Sequence, residues 1–239
     1  SRDLESFDET GYVVARQVIS REQAEATARA LWAFAEMDPD DPDSWYAERP
    51  PGPAGPDGPG VPARKGTGMV EIYHDQAQWN NRTAPRVHQA FSQVLASEKL
   101  WVSHDRASIN PPSRDPHAQE HGLHWDVDLE DRPVGFGVQG VLYLNDTPEE
   151  QGAFRCVPGF HKKLESWLDN LPRGCRTYEG DDPSQRVGAR AGDLIIWRTA
   201  LPHTAGINWG TAPRVVQYIA MAPACEDDEE LRQIHIDFW

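Results

Sequence analysis

Between residues 100 and 223 the chain repeats one pattern: a short run of β-branched and aromatic residues, then a break made of Gly, Pro, Asn or Asp. The runs are "LWVSHDRASIN", "GFGVQGVLYLND", "GAFRCVPG", "GDLIIWRTALPH" and "RVVQYIAMAP". Short strands punctuated this often predict an antiparallel sandwich or barrel. No internal repeat of fixed period interrupts them. The 239 residues, 38% of them hydrophobic, suit one domain spanning 1–239 with a sizeable core.

The first third reads differently. An acidic turn in "SFDETGY" leads to a short strand at Tyr12 to Val14, then to an alanine-rich helix with Ser20 as N-cap and Gln23 closing a capping box. Residues 39 to 62 hold eight prolines and four glycines, which can continue neither helix nor strand. The segment 39–68 is therefore expected as an extended loop, either a loose surface excursion or a lid over a pocket, with Trp45 and Tyr46 tucked onto the domain. "TAPRVHQAFSQVLAS" predicts a second amphipathic helix with Val87, Phe91, Val94 and Leu95 on one face.

Charge and cysteine content exclude several functions. A formal charge of −15 opposes binding to nucleic-acid phosphates or anionic lipid surfaces. No apolar run reaches the length of about 18 to 20 residues that a membrane span needs, and the first residues are charged, unlike a signal peptide. Three cysteines, Cys156, Cys175 and Cys225, include no CxxC pair, so a disulfide framework and a thiolate metal site are not expected. These features fit the cytoplasm and a small-molecule substrate, with no bearing on oligomeric state.

The stretch "HGLHWDVDLE" sets imidazole beside carboxylate. On an extended segment His124 and Asp126 share a face and can reach one ion, while Trp125 points away. An isolated HxD is weak evidence among nine histidines and 38 acidic residues. It gains weight from "LPHTAGINWGTAPRVVQY", where His203 is expected to end a strand and Arg214 to open the next after a Gly/Asn/Pro-rich turn, as in a hairpin. Two imidazoles and one carboxylate on one face of an Fe(II) ion leave three positions for a 2-oxo acid and dioxygen. Arg214 would supply a planar fork for the distal carboxylate of 2-oxoglutarate. His121 is set aside because its odd spacing from His124 sends the rings to opposite faces of a strand. His161 is expected to support a turn, and Asp128 to be a solvated or supporting carboxylate.

Together, "FDETGYVVARQVISREQAEA", "HWD", "LYLNDTPEEQGAFRCVPGFHK", "GDLIIWRTALPHTAGIN" and the arginine eleven residues beyond His203 resemble the phytanoyl-CoA hydroxylase-like branch of the Fe(II)/2-oxoglutarate-dependent dioxygenases. The resemblance covers most of the chain. It implies a mainly β protein with flanking helices around a double-stranded β-helix (jelly roll, cupin-like). It implies Fe(II) held by His124, Asp126 and His203, with 2-oxoglutarate and O2 as co-substrates, ascorbate in a supporting role, and Arg214 as carboxylate anchor. Arg106, on a face expected to carry His104, Ser108 and Asn110 too, and Gln139 match regions lining the co-substrate cavity. Ala205 stands where some relatives carry a hydroxyl, a contact that Thr204 would then supply. Trp125, Arg106 and Arg155 are candidate substrate contacts, against core packing for Trp125 and ion pairing for Arg155, Arg132 and Arg106.

The implied reaction is oxidation of a C–H bond in a small metabolite or natural-product intermediate, with release of succinate and CO2. A carboxylate at Asp126, where related halogenases carry a small residue, favours hydroxylation over chlorination. Desaturation, cyclisation and epoxidation stay open. Two alternatives remain: a zinc hydrolase, which gives Arg214 no duty, and a non-catalytic jelly-roll ligand-binding protein.

Overall fold

Strand alternation sorts side chains between two cores, and the computed structural model, which describes residues 2–46, 68–170 and 177–237, shows both. The larger sheet has six strands in the order β1 (Tyr12–Ala15), β8 (Leu194–Arg198), β5 (Val138–Tyr143), β10 (Arg214–Tyr218), β4 (Ala107–Asn110) and β2 (Met69–Val70). The smaller has β7 (Gln185–Val187), β6 (Phe154–Cys156) and β9 (His203–Ala205), extended by single bridges from His203 to His124 and from His124 to Thr177. A separate pair joins β3 (Leu100–Val102) to β11 (Met221–Pro223). Every ladder among the described residues is antiparallel.

Val141, Tyr143, Ile195, Trp197 and Val216 point from the larger sheet onto Phe154, Cys156 and Val187 of the smaller, filling a jelly-roll interior. Their neighbours Val138, Leu142, Leu194, Ile196 and Val215 point the other way, onto Leu31 and Trp32 of α2 (Arg21–Phe34) and Val87 and Phe91 of α4 (Pro85–Leu95). Each such side chain contributes about 1.5–3 kcal/mol when fully buried. Gly140 lets α4 approach the sheet: a Cβ there would lie 2.9 Å from Phe91 Cζ and 2.7 Å from the Ile219 carbonyl oxygen.

Local signals set the helix ends. Ser20 Oγ accepts from Gln23 N at 3.2 Å and Gln23 Oε1 accepts from Ser20 N at 3.0 Å, the predicted capping box. Proline opens α4, where its missing N–H costs nothing. The expected acidic turn at the start is instead helix α1 (Arg2–Thr10), which buries Phe7. Helix α3 (Gln76–Arg82) is an element the periodicity does not predict; Asp75 caps it, accepting from Ala77 N at 2.8 Å. Short α5 (Leu164–Leu168) and terminal α6 (Glu229–Asp237) complete the set.

Trp45 packs on Trp32 at 6.4 Å between ring centroids, and Tyr46 donates to the Pro112 carbonyl at 2.7 Å, as expected. Most of the 39–68 segment lies outside the described residues, and so does the lid question. Among the described residues no helix is long and apolar enough to cross a membrane.

Three local expectations are corrected. "LWVSHDRASIN" is two strands in different sheets, so His104 leaves the face shared by Arg106, Ser108 and Asn110 and packs edge-on against Trp79 instead, 5.2 Å between centroids. His203 opens β9 rather than ending β8. Nor do β9 and β10 form a hairpin: the intervening turn crosses from the smaller sheet to the larger, held by Asn208 Nδ2 donating to the Asn110 and Ala212 carbonyls at 2.8 and 2.9 Å.

Candidate metal centre and co-substrate pocket

His124 and His203 face each other across one antiparallel bridge, each N–H donating to the other's carbonyl at 3.1 and 3.0 Å. Residues paired in this way project their side chains to the same side. The two rings lie 5.0 Å apart, and Asp126 joins them two residues after His124. One ligand atom from each of the three lies within 4.8 Å of the others. Asp126 Oδ2 is 3.2 Å from His203 Nε2, and Oδ1 is 3.5 Å from His124 Nε2.

Backbone carbonyls orient both rings. His203 Nδ1 lies 3.0 Å from the Leu201 oxygen, and His124 Nδ1 lies 3.4 Å from the Gly122 oxygen. A carbonyl only accepts, so Nδ1 carries a proton, and Nε2, turned toward Asp126, donates to it when protonated and offers a lone pair to a metal when not. Two nitrogen lone pairs and a carboxylate converging on one point are what a divalent cation satisfies. Hydrogen bonds from His124, then His203, hold the Asp126 carboxyl well below the usual range, and the same contact with Asp126 raises His124 against the effect of burial. The donor set and ring orientation therefore fit a 2-His-1-carboxylate metal.

The cluster opens into a cavity of about 430 Å³ between the sheets. Arg214, Asn110, Ser108 and Arg106 all line it; Arg214 pairs in register with Asn110, and Val216 with Ser108. Arg106 lies at the far end of the same ladder, its carbonyl accepting from Tyr218 N at 3.1 Å. The four-residue separation from Arg214 to Tyr218 spans about 13 Å along the strand.

Arg214 is 2% exposed, yet among the described residues Nε and Nη1 have no hydrogen-bond partner. Its guanidinium lies 5.5 Å from the centre of the Tyr143 ring, and no ion pair to it occurs among the described residues. Tyr143 and Tyr218 favour its charged form, but neither is an anion, and a buried cation without one is costly until an anion joins it.

The other predicted residues divide. Gln139 and Thr204 line the cavity with Ala205, and Gln139 Nε2 donates to Asp126 Oδ2 at 2.9 Å. Arg106 keeps a loose 3.7 Å contact between Nε and Asp105 Oδ1. Trp125 is corrected as a substrate contact: it is 2% exposed, packed among Phe160, Trp167 and Tyr178, with its indole donating to the Ala200 carbonyl at 3.0 Å. Arg155 is corrected likewise, because it points to Glu120 at 2.8 Å and does not line the cavity. Arg132 pairs with Glu165 and Asp169, both at 2.9 Å. His121 lines the cavity outside the metal cluster, Asp128 caps a turn by accepting from Glu130 N, and His161 contacts the Asp8 carbonyl.

Sequence reasoning passed over Phe154 and Trp197, which wall the cavity beside His203 at 6.1 and 4.9 Å between centroids. Both sit on inward strand positions that alternation in "GAFRC" and "DLIIW" could have marked. It also passed over Glu120, which clasps Arg155 and Arg186 and ties the segment before the metal pair to β6 and β7. Their distance in sequence hides that contact.

A jelly roll carrying two imidazoles and a carboxylate on its inner face, with a buried arginine in the same cavity, defines a class of metal-dependent proteins. The chain belongs to the phytanoyl-CoA dioxygenase (PhyH) family, whose model matches residues 7–216, and it is a dioxygenase of that family. A Dictyostelium discoideum protein named after phytanoyl-CoA dioxygenase is 25% identical over 92% of this chain and 74% of its own length. The fold is similar to that of SnoN, an epimerase of nogalamycin biosynthesis solved with Fe3+, alpha-ketoglutarate and nogalamycin RO: TM-score 0.64, 17% identity, 93% of this chain and 83% of that one. SnoK, an alpha-ketoglutarate-dependent carbocyclase from nogalamycin biosynthesis, matches with TM-score 0.62 at 18% identity over 97% of this chain and 90% of its own.

Proposed function

We propose that this protein is an Fe(II)- and 2-oxoglutarate-dependent oxygenase that oxidises a C–H bond of a small natural-product intermediate, releasing succinate and CO2. The carrying observation is Arg214, a buried guanidinium without an anionic partner among the described residues, in the same cavity as His124, Asp126 and His203. The three ligands hold the iron; Arg214 receives the distal carboxylate of 2-oxoglutarate as a two-pronged donor. Iron so ligated supplies oxidation of a C–H bond coupled to decarboxylation of the 2-oxo acid. The chain's own work is to orient and exclude: Leu201 and Gly122 carbonyls fix the imidazole tautomers, Phe154 and Trp197 keep water from one wall, and Thr204 and Ser108 offer hydroxyls to the co-substrate.

Arg106 supports a substrate that bears a carboxylate. It is a second guanidinium in the cavity, its side chain 44% exposed, and its one ion pair among the described residues is loose. Named relatives of this fold perform epimerisation and carbocyclisation, so the outcome at carbon is set by how the substrate lies in the cavity. A zinc hydrolase would leave Arg214 buried for no purpose, and a binding module would leave the metal cluster so. A cytoplasmic location fits the reading.

Succinate release with Fe(II), 2-oxoglutarate and O2, screened across natural-product intermediates, tests it. Turnover should need all three and vanish in His203→Ala and Asp126→Ala. Metal-independent ligand binding without succinate, or full turnover in either variant, defeats the assignment.

A further inference from the structure

Gln139 sits on β5 two residues before Val141, on the face turned toward the metal cluster. Its Nε2 donates to Asp126 Oδ2 at 2.9 Å, the oxygen that also lies 3.2 Å from His203 Nε2. An ionised carboxylate only accepts, so Asp126 dictates that the amide turns its NH2 inward. That choice leaves Gln139 Oε1 buried without a partner among the described residues. Flipping the amide would set oxygen against oxygen. The unsatisfied Oε1 is thus a cost accepted for one contact, and the contact is to a candidate metal ligand.

We propose that Gln139 is a positioning residue that makes Asp126 a one-oxygen ligand. By occupying Oδ2 it leaves the other carboxylate oxygen for the metal and stops the group from swinging to offer both. A two-oxygen grip would take one of the three positions that a chelating 2-oxo acid and dioxygen need. The strand is the right support for this. β5 is hydrogen-bonded on both sides, Gln139 pairing with Trp197 across β8, so its amide is held on a rigid ladder while Asp126 sits in a bend. Among the described residues, Gln139 is the one group outside the cluster that hydrogen-bonds the Asp126 carboxylate. The role differs from a contact to the 2-oxo acid, which the family resemblance suggested for the same side chain. It rests on the reading of His124, Asp126 and His203 as metal ligands.

The test is Co(II) titration of the metal-free protein followed by its visible d–d spectrum, with no turnover involved. Gln139→Leu should weaken Co(II) affinity about 10- to 100-fold, as loss of a group supporting a ligand does. It should also alter the spectrum of the saturated protein, while the metal-free Tm stays near wild type. Gln139→Asn, whose amide retreats by one methylene, should behave alike and serves if Leu impairs folding. Wild-type affinity and spectrum in both variants overturn the proposal. So does weaker 2-oxoglutarate binding with unchanged Co(II) binding, which would make Gln139 a co-substrate contact. Asp126→Ala separates the two levels: if it keeps wild-type Co(II) affinity, the ligand assignment fails; if it loses Co(II) while Gln139→Leu does not, the positioning role alone fails.

Discussion

Replacing Arg214 with methionine should make the protein more stable alone and less stable with its co-substrate. The stem of the side chain survives in Met, so packing is largely kept. What is lost is a 2%-exposed cation whose Nε and Nη1 have no partner among the described residues. Unsatisfied buried donors cost about 1–3 kcal/mol, and the Tyr143 ring face returns about 0.5–2 kcal/mol. The net gain for Arg214→Met is about 1 kcal/mol, or about 2–4 °C in Tm for a domain of this size. With Co(II) in place of iron and 2-oxoglutarate at about a hundred times its Kd, the wild type should gain about 2.7 kcal/mol, roughly 5–10 °C. The variant should gain at most about 0.9 kcal/mol, because truncating one partner of a buried charge pair costs about 2–5 kcal/mol, about 30- to 4,000-fold in Kd. Two thermal melts of each protein, with and without 2-oxoglutarate, give four Tm values whose order should cross. A variant that melts several degrees below wild type without ligand, or keeps the full ligand shift, refutes the assignment of Arg214 as an anion receptor awaiting its anion.

Proton linkage and helix capping supply further expectations. The raised proton affinity of His124, caused first by its hydrogen bond to Asp126, stabilises the metal-free fold below the ordinary value of 6.5 and is lost as pH rises through the folded value. Metal binds the neutral ring, so Co(II) affinity should weaken as pH falls through the raised value of His124, and a profile flat down to the ordinary value counts against His124 as ligand. Ser20→Ala should cost about 1 kcal/mol by removing half of the capping box on α2, lowering Tm by about 2–4 °C with no change in Co(II) affinity. A shift within experimental error would mean that α2 is held by its buried Leu31 and Trp32 face alone.

The strands β5, β8 and β10 were legible because alternation is a local property, written residue by residue. The same holds for the Ser20 capping box and the proline-led α4. Helix α1 was not, since its nine residues bury only Phe7 and most of its support comes from packing against the domain. His104 was misplaced because alternation assumes an unbroken strand, and residues 103–106 between β3 and β4 break it. Trp125 and Arg155 were drawn toward the cavity by their position beside site residues. Burial among aromatics and the ion pair to Glu120, 35 residues away, decided otherwise.

By itself the sequence determined the kind of fold and the chemical inventory: antiparallel strands, an HxD pair, a later histidine and an arginine suited to a carboxylate. Residue type and short-range spacing set those. Only the tertiary structure decided how they meet. His203 reaches His124 through a bridge in the smaller sheet, whereas Arg214 arrives from the opposite sheet, so the cavity exists only once the two close on each other. Long-range pairing also sets the burial that leaves Arg214 without an anionic partner among the described residues. No local pattern carries that information, because burial is a property of what the rest of the chain places around a residue.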